Sequence, residues 1–257
     1  MNKTGLVSIS FRSLSCEEII KLVSDCGLHG IEWGSDVHVP PDNPARAKEV
    51  AQMMKSAELE TSAYGTYYRA GTYGSDYKAV FEKLLNNAVI LNAPVMRIWA
   101  GTAPSDETDE AERKKIVEEC IDIADMAKKE NITVAFECHN HTLTDDISST
   151  LELMKETSHG NLRMFWQPNE RKSFEYNLNA LEKIMPYLTN VHVFNWDNKG
   201  NRKPLKCAEN EWQKYTELIM SDSAEHWLSL EFMPDDNPQS LQNEAEYLNN
   251  LVDNFRK

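Results

Sequence analysis

The chain has 257 residues, of which 41% are hydrophobic and 26% are charged, as in an ordinary globular protein. Its formal net charge of -14 argues against nucleic acid as a partner, because phosphates are bound by clustered Lys and Arg. Five scattered cysteines form no Cys-x-x-Cys pair, which argues against a disulfide or zinc-finger framework. Since the chain shows neither an apolar signal segment nor an apolar run of membrane length, we expect a cytoplasmic protein that binds no membrane.

Short apolar segments alternate with amphipathic segments along the whole chain. In chain order, strands are predicted at residues 6–11, 29–33, 60–64, 94–101, 132–138, 161–166, 190–194 and 227–232. Helices are predicted at residues 15–26, 44–57, 76–91, 107–130, 148–156, 177–185, 210–220 and 239–255. Eight such pairs are typical of a (β/α)8 barrel, the TIM barrel of the α/β class.

The alternative arrangement is a doubly wound open sheet. No Gly-rich phosphate-binding fingerprint follows the first predicted strand, although that motif is typical of the open sheets that bind dinucleotides. No linker rich in Gly or Ser and no shift in composition divides the chain. We therefore predict a single TIM barrel domain over residues 1–257.

The most informative stretch is residues 134–141, where an apolar strand ends in Glu137 and is followed by polar residues. In a TIM barrel, the C-terminal ends of all strands face one basin, and active sites lie there. Glu137, Gln167, His192 and Glu231 lie at or near the ends of the last four predicted strands. Their oxygens and single imidazole suit a cation such as Mn²⁺, Mg²⁺ or Co²⁺. The alternative for this stretch is a capped strand end with surface histidines.

These motifs resemble the xylose isomerase-like barrels, in particular the sugar phosphate isomerase/epimerase family with its D-tagatose 3-epimerase-like and inosose dehydratase-like members. The resemblance extends from Gly30-Ile-Glu-Trp33 to Leu230-Glu-Phe232. Members of that family hold a metal with Glu, Asp, His and Glu at the ends of strands five to eight. By position, the resemblance implies these ligands: Glu137 in Phe-Glu-Cys-His, Gln167 in Phe-Trp-Gln-Pro, His192 in Val-His-Val-Phe and Glu231 in Ser-Leu-Glu-Phe.

The sixth-strand motif departs from the family pattern Asp-x-x-His, because this chain has Gln167-Pro-Asn-Glu170. Gln167 can still offer a carbonyl oxygen, but it carries no charge. A charge at about 4 Å is worth roughly 4 kcal/mol at an effective dielectric constant near 20, so its loss weakens the affinity for a divalent metal. The expected cofactor is a divalent metal (Mn, Mg, Co or Zn), and Glu170 replaces the histidine that the family places near the substrate.

Glu137 and Glu231 are the predicted catalytic pair. Moving a proton between adjacent carbons of a sugar requires a base on one face and an acid on the other. The metal would stabilise the charge of the enediolate. His192 would bind the metal as a neutral ligand, which requires an acceptor for its second nitrogen. The alternative for His192 is a buried histidine that is bonded to backbone.

The predicted substrate-binding residues lie at or just beyond strand ends. They are Trp33, Tyr64, Arg97, Trp99, His139, Glu170 and Trp196. Flat aromatic faces suit the C–H groups of a sugar, although large aromatic residues also pack the mouths of barrels. Arg97 can bind a hydroxyl, carboxylate or phosphate group, or it can form an internal ion pair with Glu32 or Glu137.

The leading interpretation is a metal-dependent isomerase or epimerase of a sugar or sugar derivative. One alternative is a dehydratase or lyase that acts on a keto-sugar or inosose, and another is a sugar-binding barrel with a degenerate metal site. An apurinic-site endonuclease is related in fold, but the acidic charge and the seven histidines argue against several zinc ions and a DNA groove. The expected partner is a small-molecule carbohydrate, and a homo-oligomer remains open.

Overall fold

The structure, a computed structural model, describes residues 2–255, which form a closed barrel of eight parallel strands. The strands are β1 (Lys3–Val7), β2 (Gly30–Gly34), β3 (Glu60–Arg69), β4 (Val95–Trp99), β5 (Thr133–Glu137), β6 (Leu162–Trp166), β7 (Leu188–Val193) and β8 (Trp227–Leu230). Each strand pairs with the next one, and β8 pairs with β1 to close the ring. The predicted TIM barrel is confirmed.

Over the same residues, eight α-helices alternate with the strands. They are α1 (Cys16–Asp25), α2 (Pro44–Ser56), α3 (Tyr77–Ile90), α4 (Glu110–Lys129), α5 (Ile147–Thr157), α6 (Phe174–Ile184), α7 (Glu209–Met220) and α8 (Leu241–Asp253). At the start of α1, the side chains of Ser15 and Glu18 each accept a hydrogen bond from the other's backbone N–H, which satisfies two otherwise free donors. Between residues 2 and 255, no helix is both long and apolar enough to cross a bilayer.

The predicted first strand, at residues 6–11, is wrong over most of its length. β1 ends at Val7, and Ser8–Phe11 form a short 3-10 helix. In that turn, Ser8 Oγ accepts a hydrogen bond from the Gly34 N–H, and Ser10 Oγ accepts one from the Phe232 N–H, each at 2.9 Å. The alternation of polar and apolar residues thus continues from the strand into a turn that is hydrogen-bonded to neighbouring strand ends. The period of hydrophobicity alone therefore does not distinguish the strand from the turn.

β3 is longer than the predicted strand at residues 60–64. It extends to Arg69, which pairs with Trp99 at the end of β4 after a shift in register beyond Gly65. The glycine and tyrosines that predict a loop here belong instead to an irregular strand end. As a result, Tyr67 lies at the mouth of the barrel and lines its cavity.

The interior of the barrel changes in character along the strands. Its lower part is filled by one apolar cluster from four neighbouring strands, namely Ala63, Val95, Ala135 and Phe165. Two residues further along β4 and β5, the inward positions are Arg97 and Glu137, which are both buried. The charged groups therefore lie towards the C-terminal ends of the strands, the end at which TIM barrels carry their active sites.

Candidate metal centre and substrate cavity

The structure brings the four predicted metal ligands to one point. Glu137 ends β5, Gln167 follows β6, His192 lies in β7 and Glu231 follows β8. From His192 Nδ1, the distance is 3.0 Å to Gln167 Oε1, 3.3 Å to Glu137 Oε1 and 3.5 Å to Glu231 Oε2. Ligand atoms of the two glutamates and His192 lie within 4.8 Å of one another, and all three residues are buried.

The second ring nitrogen of His192 also has the partner that a metal ligand requires. Its Nε2 lies 2.9 Å from Glu32 Oε2, and both side chains are fully buried. A histidine that binds a metal commonly donates its other N–H to a carboxylate, which fixes the tautomer and leaves the first nitrogen free for the metal. Glu32 therefore belongs to the candidate centre by its contacts, although it was absent from the predicted site residues; its place at the end of β2 makes it a candidate from sequence.

Arg97 forms hydrogen bonds and ion pairs inside the protein. Its Nε donates to Glu32 Oε1 at 2.8 Å, and its Nη1 donates to Glu137 Oε2. Trp99 Nε1 donates to the same oxygen of Glu137 at 2.6 Å. The guanidinium lines the cavity floor. An internal ion pair with Glu32 or Glu137 was the alternative interpretation for Arg97, and the structure shows ion pairs with both residues.

The charges of the centre fit one divalent cation. With His192 neutral, the three carboxylates of Glu32, Glu137 and Glu231 exceed the single positive charge of Arg97 by two. The converging donors are two carboxylate oxygens, one amide oxygen and one imidazole nitrogen, a set that suits hard or borderline divalent metals. The residues therefore fit a divalent metal in spite of the neutral Gln167.

The pKa values of the centre reflect its burial and its crowded charges. Burial alone lowers the pKa of His192, but the carboxylates of Glu231 and Glu32 outweigh it and raise that pKa well above its ordinary value. Burial raises the pKa of Glu231 to about 7, against the opposing effect of His192. For Glu137, Arg97 and His192 overcome the effect of burial and hold the pKa well below its usual range.

We expect the affinity of the centre for Mn²⁺ to rise with pH. In the metal-free protein, the raised pKa keeps His192 protonated, and Nδ1 must lose its proton before it can bind a cation. Because the cation displaces this proton, the affinity should increase by up to about tenfold for each pH unit of rise, as long as the pH is below the pKa of His192. Titration with Mn²⁺ over a series of mildly acid to mildly alkaline buffers, with free ion followed by EPR, measures this slope. A flat profile would contradict the role of His192 as a ligand.

Above the centre lies a cavity of about 280 Å³. Five of the seven predicted substrate-binding residues line it, namely Arg97, Trp99, His139, Glu170 and Trp196. Residues that were not predicted also line it, among them Arg12, Tyr67, Asn140, Tyr176, Phe194 and Phe232. His139 Nδ1 lies 2.7 Å from the backbone oxygen of Asn140, and its ring packs 5.2 Å from that of Trp99. The walls thus combine several aromatic side chains with a larger number of polar and charged ones.

Trp33 and Tyr64 are the two predicted substrate contacts that the structure does not bring to the cavity. Both side chains are fully buried in the main hydrophobic core, and the Tyr64 hydroxyl donates to the Val39 carbonyl at 2.6 Å. Side chains alternate between the two faces of a strand, so the inward direction of Glu32 turns Trp33 outward. These two predictions are corrected to packing roles.

Arg12 and Tyr67 are cavity residues that the sequence analysis missed. Arg12 Nη2 donates to the Tyr67 hydroxyl at 2.6 Å, and Arg12 Nε donates to Asp36 at 2.7 Å. Arg12 follows the turn after β1, whose end was misplaced, and Tyr67 lies in the unpredicted half of β3. If the C-terminal ends of β1 and β3 had been predicted correctly, both residues would have been placed at the mouth of the barrel.

Known proteins similar to this chain include enzymes of two kinds. The 3-dehydroshikimate dehydratase of Bacillus anthracis is 24% identical over 96% of this chain and 97% of its own length. The crystal structure of the probable 3-DHS dehydratase AsbF from that organism has a TM-score of 0.82 at 22% identity, covering 97% of this chain and 99% of the other. L-ribulose 3-epimerase has a TM-score of 0.78 at 14% identity, covering 100% and 96%.

A further similar structure is a xylose isomerase-like TIM barrel protein of Mycobacterium smegmatis, solved in complex with magnesium. Its TM-score is 0.71 at 14% identity, with coverage of 100% of this chain and 98% of the other. Structures this distant in sequence share the fold. A sequence model described as xylose isomerase-like TIM barrel matches residues 20–251, which include most of the barrel and all four candidate ligands. The chain therefore belongs to the xylose isomerase-like TIM barrel family.

Proposed function

We propose that this protein is a divalent-metal-dependent enzyme that moves a proton at the carbon next to the carbonyl of a sugar or sugar derivative, as an isomerase or epimerase does. The observation that carries this proposal is the convergence of Glu137, Gln167 and Glu231, which line the floor of the cavity, on the buried imidazole of His192. A divalent cation held by these residues would polarise the substrate carbonyl and stabilise the negative charge of an enediolate.

Glu231 is the group best suited to take the proton. Within residues 2–255, its carboxylate has no hydrogen-bond donor, and its one ion-pair contact is His192 Nδ1 at 3.5 Å. It would remove the proton from the substrate carbon, whose C–H electron pair forms the C=C bond of the enediolate. The carbonyl π pair moves onto the oxygen at the same time. In an epimerase, a proton is then added to the same carbon from the opposite face. In an isomerase, the proton is added to the former carbonyl carbon while the neighbouring hydroxyl passes its own proton to the former carbonyl oxygen, so that no co-reactant is consumed in either case.

Glu137 is the second member of the proposed catalytic pair, and only one of its two carboxylate oxygens is available for catalysis. Its Oε2 accepts hydrogen bonds from Arg97 and Trp99, while its Oε1 faces His192. One oxygen is thus held by the protein, and the other remains for a metal or a substrate hydroxyl. In an epimerase, it would act on the substrate face opposite to Glu231.

The cavity walls suit a small polyhydroxylated substrate. We assign Trp99 and Trp196 as flat surfaces for its C–H groups and His139 as a polar contact, because all three line the cavity. Glu170 is a further proposed contact, at the position where the family has a histidine. Its half-buried carboxylate lies 3.5 Å from Arg171 Nε. A carboxylate has several lone pairs, and it can therefore accept a hydrogen bond from a substrate hydroxyl as well.

The second candidate function is a dehydratase that acts on a keto-sugar or a related ring. The unequal surroundings of Glu137 and Glu231 favour it, since one free carboxylate suffices to remove a proton and pass it to a departing hydroxyl on the same face. The C–O electron pair leaves with that hydroxyl as water. The 24% identity to a dehydratase over nearly the whole chain also supports this candidate.

Solvent exchange separates the two candidates. Protein loaded with Mn²⁺ is incubated in deuterated water with a panel of aldoses, ketoses and cyclic keto-polyols, and the recovered compounds are analysed by NMR. Deuterium next to the carbonyl of an isomer or epimer supports the first candidate. Water loss that produces a conjugated ketone supports the second. If protein that binds Mn²⁺ catalyses neither change with any compound of these classes, the proposed function is contradicted.

Replacing Gln167 with Asp tests whether this side chain faces the cation. We expect the affinity for Mn²⁺ to increase by about tenfold or more, because a carboxylate would add a full charge at ligand distance. Gln213→Asp, on the exposed face of α7, is the control for the added charge itself and should leave the affinity unchanged. Equal affinities of the Gln167→Asp variant and the unmodified protein would remove Gln167 from the ligand set.

A further inference from the structure

We propose that Glu32 and Arg97 are positioning residues that act as one unit and couple the metal ligand His192 to the metal ligand Glu137. The inference rests on the proposed function, because it concerns how the same centre is held ready for a cation. It assigns a role to two buried residues on β2 and β4, strands that carry none of the four proposed ligands.

The first half of the unit is the contact between Glu32 and His192. Glu32 Oε2 lies 2.9 Å from His192 Nε2, and the two side chains are inaccessible to solvent. The carboxylate therefore selects the tautomer in which Nε2 carries the proton and Nδ1 presents its lone pair. Nδ1 is the atom that faces Glu137, Gln167 and Glu231, so Glu32 orients the ring for metal binding.

The second half is the hold of Arg97 on Glu137. The other oxygen of Glu32 accepts from Arg97 Nε at 2.8 Å, and Arg97 Nη1 donates to Glu137 Oε2. Trp99 donates to this same oxygen. The chain of contacts thus runs from His192 through Glu32 and Arg97 to Glu137, without a gap and without a solvent-exposed member.

The backbone of β3 leaves room for this chain of contacts at one place. A Cβ added to Gly65 would lie 2.5 Å from Glu32 Oε1 and 2.9 Å from Arg97 Nη2, which is closer than a real Cβ can approach. Glycine at this position therefore lets the ion pair cross from β2 to β4 in front of β3. Since a buried charge is costly without its partner, removal of either member should release both ligands together.

The test is a double-mutant cycle on Mn²⁺ affinity with Glu32→Gln, Arg97→Lys and the combined variant. We expect each single change to weaken binding by about 10- to 100-fold, and the combined change to cost about as much as the larger single change. Glu244→Gln is the matched control, because Glu244 is a half-buried carboxylate that accepts from the Leu205 N–H outside the barrel interior. It should retain the unmodified affinity.

A second readout separates positioning from general loosening. NMR of the Mg²⁺-loaded protein should show the His192 Nε2–H proton shifted downfield by its hydrogen bond to the Glu32 carboxylate, and the Glu32→Gln variant should lose most of this shift. Affinity of Glu32→Gln within about threefold of the unmodified protein, or effects that multiply in the combined variant, would overturn the coupling alone. Failure of the unmodified protein to bind Mn²⁺ would instead overturn the proposed function and this inference together.

Discussion

Replacement of Glu231 with Gln is expected to lower kcat for the exchange reaction by about 10²- to 10⁴-fold, the usual contribution of a general base. The amide has nearly the same shape as the carboxylate but cannot accept the proton from the substrate carbon. Because Glu231 is also one of the four proposed ligands, we expect weaker Mn²⁺ binding as well. The comparison is therefore made at saturating Mn²⁺, with deuterium exchange as the measurement.

Glu182→Gln on the exposed face of α6 makes the same chemical change away from the cavity, and it should leave kcat within experimental error of the unmodified value. If the Glu231→Gln variant keeps more than about a tenth of the activity at saturating Mn²⁺, Glu231 is not the general base. Proton removal would then have to be assigned to another cavity residue, such as His139.

Replacement of Arg97 with Met is expected to cost about 3–5 kcal/mol in the free energy of unfolding of the metal-free protein, the usual cost of leaving a buried charge without its partner. Arg97 is 1% exposed and donates to both Glu32 and Glu137, which are 0% and 3% exposed. Methionine has a similar shape but no charge, so the carboxylates of Glu32 and Glu137 would remain buried without the guanidinium that pairs with them. Urea unfolding followed by circular dichroism measures the loss.

Arg163→Met provides the comparison for the loss of Arg97. Arg163 lies on β6, and within residues 2–255 the one hydrogen bond of its side chain is to the Pro186 carbonyl at 3.4 Å. We expect this change to alter stability by no more than about 0.5–1 kcal/mol, as for most surface substitutions. Equal losses in the two variants would show that the ion pairs of Arg97 contribute nothing particular to the barrel.

The barrel was predictable because its strands and helices produce a regular pattern of hydrophobicity in the sequence. Apolar strands alternate with amphipathic helices throughout, and the parallel sheet buries both faces of each strand. The strand ends were harder, since hydrogen bonds rather than hydrophobicity decide them. Ser8 and Ser10 continue the alternation of β1 but bond across to the next strand ends. The second half of β3 has the glycine and tyrosines of a loop, yet it pairs with β4.

The convergence of the four proposed metal ligands was predictable from position, and the side-chain network that holds them was not. Four strand ends in the right order were enough to bring Glu137, Gln167, His192 and Glu231 together. The proposed roles of Glu32 and Arg97 depend on the pairing of individual carboxylate oxygens with individual nitrogens, which the order of the strands does not predict. The error at Trp33 was avoidable, because strand alternation applied to neighbouring Glu32 turns the indole outward.

The central claim is that one divalent cation binds between the ends of β5, β6, β7 and β8. The direct measurement is anomalous X-ray scattering from a crystal grown with Mn²⁺. We predict a single strong anomalous peak with Glu137, Gln167, His192 and Glu231 around it, and with His192 bound through Nδ1. A crystal with Mn²⁺ elsewhere, or with none while these four side chains keep their contacts, would contradict the claim.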